Sequence, residues 1–250
     1  MAAASGSADG HAPQNALLLL HGRGGDEAPF ARLGARMELP QTATIALRAP
    51  VELPFDLGHT WLEDLDEHFE VIPPDAPHVA RSARLRAAAD FLWSFVQTLH
   101  DTYAWPYERV FVLGFSQGAC VAFDMLLGSV PASVRLGGVV LIAGGLVAGP
   151  HAATYAHREP DAAETPVLLV RGGRDDVYPA ALSAQTDELF KRAFRKKASA
   201  LVATVVVRNK RHEMIASADE MRQLMTFFSQ TLYLKNMALE KRSDIVEIVQ

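Results

Sequence analysis

The chain has 250 residues, 49% of them hydrophobic, which suits one large single-core domain and is short for two. Its 24 basic and 29 acidic residues are spread along the sequence for a net charge of −5, so it has no basic stripe of the kind a nucleic-acid partner needs. Cys120 is the single cysteine, which excludes an internal disulfide and CxxC zinc sites and fits a reducing compartment.

No run reaches the roughly 18 apolar residues of a membrane span. Met1 to His11 lacks the basic and apolar regions of a secretory signal. Ala2 stands where myristoylation needs glycine, and there is no C-terminal prenylation box. The expectation is a soluble cytoplasmic protein without integral membrane association.

Residues 1–14, rich in Ala, Ser and Gly, are expected to be disordered because they have little apolar surface to bury. One domain is expected over 15–235. Apolar runs predict strands at 16–20 and 43–47, with a helical pattern at 27–38 between them. Residues 50–79 follow, with prolines at 50, 54, 73, 74 and 77 and no sustained periodicity. An irregular stretch of this length reads as a pocket wall or lid. A helix is predicted at 82–102, then a strand at 109–113, a helix at 117–128 and strands at 137–143 and 166–170. A helix at 180–195, a strand at 202–207 and a helix at 217–234 complete the series. The tail 236–250 carries Ile245, Val246, Ile248 and Val249 and suits a strand or a helix equally. Fully apolar strands alternating with helices predict a mostly parallel sheet with helices on both faces.

Four segments at the ends of predicted strands carry chemistry. Gly114-Phe115-Ser116-Gln117-Gly118 is a G-x-S-x-G pentapeptide at a strand-to-helix turn, where a serine is held in a strained conformation with its Oγ exposed. The pattern alone arises by chance in roughly one chain in ten. A serine hydroxyl needs a base, and the base needs an acceptor; for a serine on this kind of strand-to-helix turn the expected chain order is Ser, then Asp or Glu, then His. Arg171 to Pro179 offers Asp175 and Asp176, and Asn209 to Met214 offers His212, at the same sheet edge as Ser116. Alone, an aspartate pair in a Gly-rich turn is ordinary turn chemistry, and a loop histidine is ordinary surface.

Leu17 to Gly25 is a strand followed by H-G-x-G-G, which places the backbone N–H of Arg23 with that of Gln117 as oxyanion donors. A phosphate-binding glycine loop is the weaker reading, since G-x-G-x-x-G and the Walker lysine are missing. His21 is expected to orient this loop. Arg174, Lys210 and Arg211 are expected to face solvent, and Cys120 to pack in the core. Trp61, Phe55 and Phe69 are candidates either to line an acyl pocket or to anchor the long loop.

Leu20-His21-Gly22-Arg23-Gly24, Arg48-Ala49-Pro50, Trp61, Gly114 to Ala119, Gly172 with Asp175 and Pro179, and His212 together resemble the phospholipase/carboxylesterase family of α/β-hydrolases. That family includes acyl-protein thioesterases and bacterial carboxylesterases, and the resemblance runs from about Ala16 to Tyr233. It implies the α/β-hydrolase fold and cleavage of small-molecule carboxylic esters or thioesters without metal or other cofactor. It implies Ser116 as nucleophile, His212 as base and then acid, and Asp175 rather than Asp176 as its partner, through G-x-x-D with a proline four residues on. Trp61 and Phe69 stand as substrate-binding candidates. The acidic stretch Leu62 to Val79, Arg211 before His212 and the lack of an N-terminal cysteine depart from the family's thioesterases and favour a carboxylesterase-like activity. A catalytically silent binder, or a peptidase or C–C hydrolase on the same fold, is the alternative. No oligomeric state follows from these residues.

Overall fold

A computed structural model of the chain describes residues 2–150, 152, 155, 164–194 and 201–236. Its centre is a seven-stranded sheet of β1 (Ala2–Ser5), β2 (Asn15–Leu20), β3 (Thr42–Leu47), β6 (Val110–Phe115), β7 (Gly138–Ile142), β8 (Val167–Gly172) and β9 (Val202–Val207). The order across it is β1-β3-β2-β6-β7-β8-β9, and every pairing is parallel except that of β1 with β3. A separate ribbon of β4 (Val51–Glu52) and β5 (His59–Thr60) lies in the long excursion. Among the described residues the α-helices are α1 (Glu27–Arg36), α2 (Val79–Tyr103), α3 (Gln117–Asp124), α4 (Ala180–Ala193) and α5 (Ala218–Thr231).

The central strands are apolar throughout because both faces are covered. In β2, Leu18 and Leu20 face α2 and α3 with Leu92, Val96 and Phe123, while Leu17 and Leu19 join Phe30 of α1 and Phe228 of α5 on the other face. Residues Ala16 to Leu20 are fully buried, and each such leucine stabilises the fold by about 1.5–3 kcal/mol. Alternate residues thus feed two separate cores from one strand. The mostly parallel sheet with helices on both faces expected from the pattern is present, and it is the α/β-hydrolase architecture that the resemblance implies. Among the described residues no helix is long and apolar enough to cross a membrane.

Three departures have physical causes. Ala2–Ser5, expected to be disordered, forms an edge strand antiparallel to β3, with the Ser5 and Thr44 hydroxyls 2.7 Å apart. Its side chains are largely exposed, so main-chain pairing rather than apolar burial holds it, and a hydrophobic pattern has nothing to report. The run Val202–Val207 is a half-exposed edge strand rather than a doubly covered one, with Val206 56% exposed. Helix α2 starts three residues before the expected 82, because the His78 ring accepts the Arg81 N–H (3.1 Å) and caps the extra turn. Near the end of the chain, Asn15 and Gln41 act as surrogate strand partners. Their side-chain amides exchange hydrogen bonds with the backbone of Tyr233 and Lys235. Residues 237–250, which hold the apolar tail, lie outside the described residues.

Candidate active site

Every parallel strand points its C-terminal end at one edge of the sheet, and the loops leaving β2, β6, β8 and β9 meet there. The turn from β6 into α3 is sharp enough to place Ser116 at φ 53° and ψ −118°, a conformation that costs a non-glycine residue about 1–3 kcal/mol. Its flanking glycines are steric necessities. A Cβ on Gly114 would lie 2.4 Å from the Gly118 carbonyl oxygen, and one on Gly118 would lie 2.5 Å from that of Leu20.

Ser116 Oγ stands 2.8 Å from His212 Nε2. On the far side of the ring, His212 Nδ1 lies 3.1 and 3.0 Å from the two Asp175 carboxylate oxygens. An ionised carboxylate only accepts, so Nδ1 carries the proton and Nε2 is left to accept the Ser116 hydroxyl. Asp175 Oδ1 also accepts the backbone N–H groups of Val177 (2.9 Å) and Tyr178 (2.8 Å). Burial works to raise the Asp175 pKa, but the His212 contact and the two amides outweigh it and hold the group below its ordinary value. The pair is sheltered, with the His212 and Asp175 side chains 15% and 5% exposed. Asp176 points away and is 64% exposed, 4.0 Å from Arg211.

The loop after β2 is fixed by His21. Its Nδ1 donates to the Gly22 carbonyl (2.7 Å) and its Nε2 accepts the Ala49 N–H (3.0 Å), which defines one neutral tautomer. Burial lowers its pKa and keeps it neutral. Arg23 and Gln117 both line a cavity of about 110 Å³ with Ser116 and His212 at its wall. Among the described residues, no protein acceptor takes the backbone N–H of either.

The sequence profile of the Phospholipase/Carboxylesterase family matches residues 5–232. The chain belongs to that family. An uncharacterized hydrolase of Mycosarcoma maydis is 28% identical over 220 residues, which cover 86% of this chain and 75% of the relative. Among solved structures, esterase PE8 superimposes with a TM-score of 0.73 at 23% identity, covering 92% of this chain and 98% of its own. Acyl-protein thioesterase 2 of Zea mays does so at 0.68 and 22% identity, covering 93% and 99%. At these identities the two structures speak for the fold.

Within this hydrolase, one residue links the two loops that carry Arg23 and Gln117. Asp64 is 5% exposed and accepts from Arg23 Nε (3.0 Å) with one oxygen and from Gln117 Nε2 (2.6 Å) with the other. The Gln117 carbonyl in turn accepts from Thr60 Oγ1 (2.8 Å) and the Trp61 N–H (3.2 Å), so its amide cannot turn over without losing both. In the sequence Asp64 is one acid among several in the acidic stretch Leu62 to Val79. Its partners lie 41 and 53 residues away, a relation that spacing does not carry.

Of the two roles expected for the pocket-wall candidates, lining the cavity falls to neither Trp61 nor Phe69. Trp61 is 2% exposed and donates its indole N–H to the His21 carbonyl (2.7 Å), so it braces the loop and is not among the residues that line the cavity. Phe69 is 77% exposed on a hairpin tip and likewise stands outside that lining. The wall is formed by Leu62, Ile72, Pro74, Val147, Val177 and Tyr178. Cys120 packs in the core, also touches the cavity, and has its thiol pushed up to about 11 by burial, which leaves it unreactive. Among the described residues, no group of three or more His, Cys, Asp or Glu could hold a metal ion.

Lys210, expected to face solvent, is buried and pairs with Glu220 at the start of α5, while also donating to the Met214 carbonyl (2.6 Å). The pair clamps the turn that carries His212. Lys210→Met leaves the Glu220 charge buried without its cation, a loss of about 3–5 kcal/mol. With about 2–4 °C per kcal/mol at this chain length, the melting temperature is expected to fall by roughly 10 °C. Adding Glu220→Gln to it is expected to recover part of that fall. An unchanged melting temperature in the single variant would contradict the clamp.

Proposed function

We propose that this hydrolase cleaves carboxylic esters or thioesters through an acyl-enzyme formed on Ser116. The observation that carries this reading is the unbroken hydrogen-bonded series Asp175, His212, Ser116. Ser116 Oγ attacks the acyl carbon as His212 Nε2 takes its proton, and the imidazolium so formed is stabilised by Asp175. Negative charge on the former carbonyl oxygen is met by the N–H groups of Arg23 and Gln117. Collapse expels the alcohol or thiol, which leaves with the proton held by His212. A water, deprotonated by the same nitrogen, then releases the acid and restores Ser116. Every proton and electron pair in these steps belongs to the chain, the substrate or water.

The test is turnover of p-nitrophenyl butyrate and of a butyryl thioester by the purified protein. Hydrolysis of at least one is expected. Binding with hydrolysis of neither would mean a pocket without catalysis and would overturn the proposal.

Asp64 exchanges no proton in this scheme and acts by position. Asp64→Asn keeps its shape, but one side of the new amide presents N–H groups to a donor, because Arg23 Nε and Gln117 Nε2 both donate. Removing one oxyanion donor outright costs about 10²–10³ in rate. Loosening the residues that carry the donors is expected to lower kcat by about 10- to 100-fold with KM little changed, as for an interaction made in the transition state. A change confined to KM, measured on the same ester, would contradict this role.

A further inference from the structure

Arg81 lies in the first turn of α2 and is 1% exposed. Its guanidinium has five N–H donors, and four are spent on backbone carbonyls. Nη1 donates to Ile72 (3.0 Å) and Pro73 (2.6 Å), and Nη2 to Ala76 and Ala148 (3.1 Å). The Ala148 N–H returns to the Pro74 carbonyl (2.8 Å). One side chain therefore ties segment 72–76 and the turn at 147–148 to the start of a long helix. Those two segments supply Ile72, Pro74 and Val147 to the cavity wall, and Arg81 itself borders the cavity.

All four acceptors are uncharged, and burying a guanidinium against neutral partners is expensive. Burial is accordingly the largest influence on its pKa and lowers it. An apolar residue would fill the same space at less cost but would leave the four carbonyls free to move. The placement makes sense where a fixed wall matters more than stability.

The cavity is open on one side and has a volume of about 110 Å³. A water occupies about 30 Å³ in the liquid, and a cavity of about 150 Å³ takes up one benzene, so this space holds about four non-hydrogen atoms. Its mouth is bordered by Val71 and Val177, each about half exposed.

We infer that the acyl groups accepted at Ser116 are short, about two to four carbons, and that Arg81 sets this length by bolting the far wall. The inference rests on the acyl-enzyme reading above and adds a substrate class to it. The leaving group occupies the open side past Val71 and Val177. Longer acyl chains meet Ile72, Pro74 and Val147, and one surplus methylene against such an apolar wall costs about 10- to 200-fold in kcat/KM.

The experiment is the kcat/KM profile over p-nitrophenyl acetate, butyrate, hexanoate, octanoate and dodecanoate, each below its aggregation limit. Acetate or butyrate is expected to be best, with octanoate at least about tenfold below. A flat or rising profile overturns this inference and leaves ester hydrolysis standing. Failure to hydrolyse any of the five overturns this inference, and if the butyryl thioester is left intact as well the acyl-enzyme reading falls with it. Arg81→Met, which keeps an apolar stem and removes the donors, is expected to raise the octanoate-to-butyrate ratio about tenfold. An unchanged ratio in the folded variant removes Arg81 from the role. Should Arg81→Met fail to fold, Ile72→Ala enlarges the same end of the cavity. Its ratio is expected to rise likewise, and an unchanged ratio there overturns the short-chain wall.

Discussion

Ser116→Ala is expected to lower kcat on p-nitrophenyl butyrate by on the order of 10⁶, because a single missing member of a serine–histidine unit costs nearly as much as the whole unit. What survives is assistance by the oxyanion donors and by binding, about 10³–10⁴ over uncatalysed hydrolysis. The substitution leaves the turn's backbone bonds in place. The Ser116 N–H donates to the Ile142 carbonyl (2.9 Å), and the Ser116 carbonyl accepts from the Cys120 N–H (3.0 Å). Alanine meets the same φ strain as serine, so the melting temperature is expected to move little. Loss of activity with an intact melting curve therefore reports chemistry. A folded Ser116→Ala variant that keeps a per cent or more of kcat would mean that another group performs the attack.

Asp175→Asn is the second large effect, a fall in kcat of about 10²–10⁴ with KM little changed. An asparagine amide facing His212 Nδ1 favours the opposite tautomer, with the ring proton on Nε2, where it cannot accept from Ser116. Asp176→Asn is the control. Its exposed side chain has no contact with the ring, and its kcat is expected to stay within about twofold of the parent. The reverse pattern, Asp176 sensitive and Asp175 tolerant, would contradict the assignment. The carboxylate also carries a pH signature. Its folded-state pKa is depressed, so its contribution to stability is present above the ordinary aspartate value and is lost as pH falls through the depressed one. Asp175→Asn should flatten that part of the acid limb of stability, leaving the neutral region less affected in shape.

What the sequence made legible follows from where information is local. The strands β2 and β6 stand out because Leu17 to Leu20 and Val110 to Leu113 are buried on both faces, and burial leaves a compositional mark. The turn at Ser116 is legible because two glycines are required within five residues by backbone contacts of 2.4 and 2.5 Å. Asp175 and Asp176 are neighbours with the same side chain, and what separates them in the sequence is the family's G-x-x-D spacing with a proline four residues on, carried by the resemblance. In the structure they differ by the Val177 and Tyr178 amides and the His212 ring, all gathered on the first.

The rest was hidden for related reasons. β1 is held by backbone pairing, to which Ala2–Ser5 adds little apolar surface. Lys210 sits in a Lys-Arg-His run that looks solvated, and its partner Glu220 belongs to the next helix. Trp61 and Phe69 share an aromatic character that suits a pocket, yet one is drawn under the His21 loop by its indole N–H and the other stands out on a hairpin tip. Arg81 and Asp64 matter through partners in other loops. Polar groups of this kind organise a site from within and leave no periodic trace.

The central claim is that Ser116 carries the acyl group, and it is met most directly by mass spectrometry after reaction with a fluorophosphonate. The peptide from Val110 to Arg135 contains Ser116, Ser129 and Ser133, and fragmentation separates the three. One phosphonyl group per chain, located on Ser116 and absent from Ser116→Ala, is the predicted result. No adduct on the parent protein, or an adduct that persists on another residue in Ser116→Ala, would contradict it.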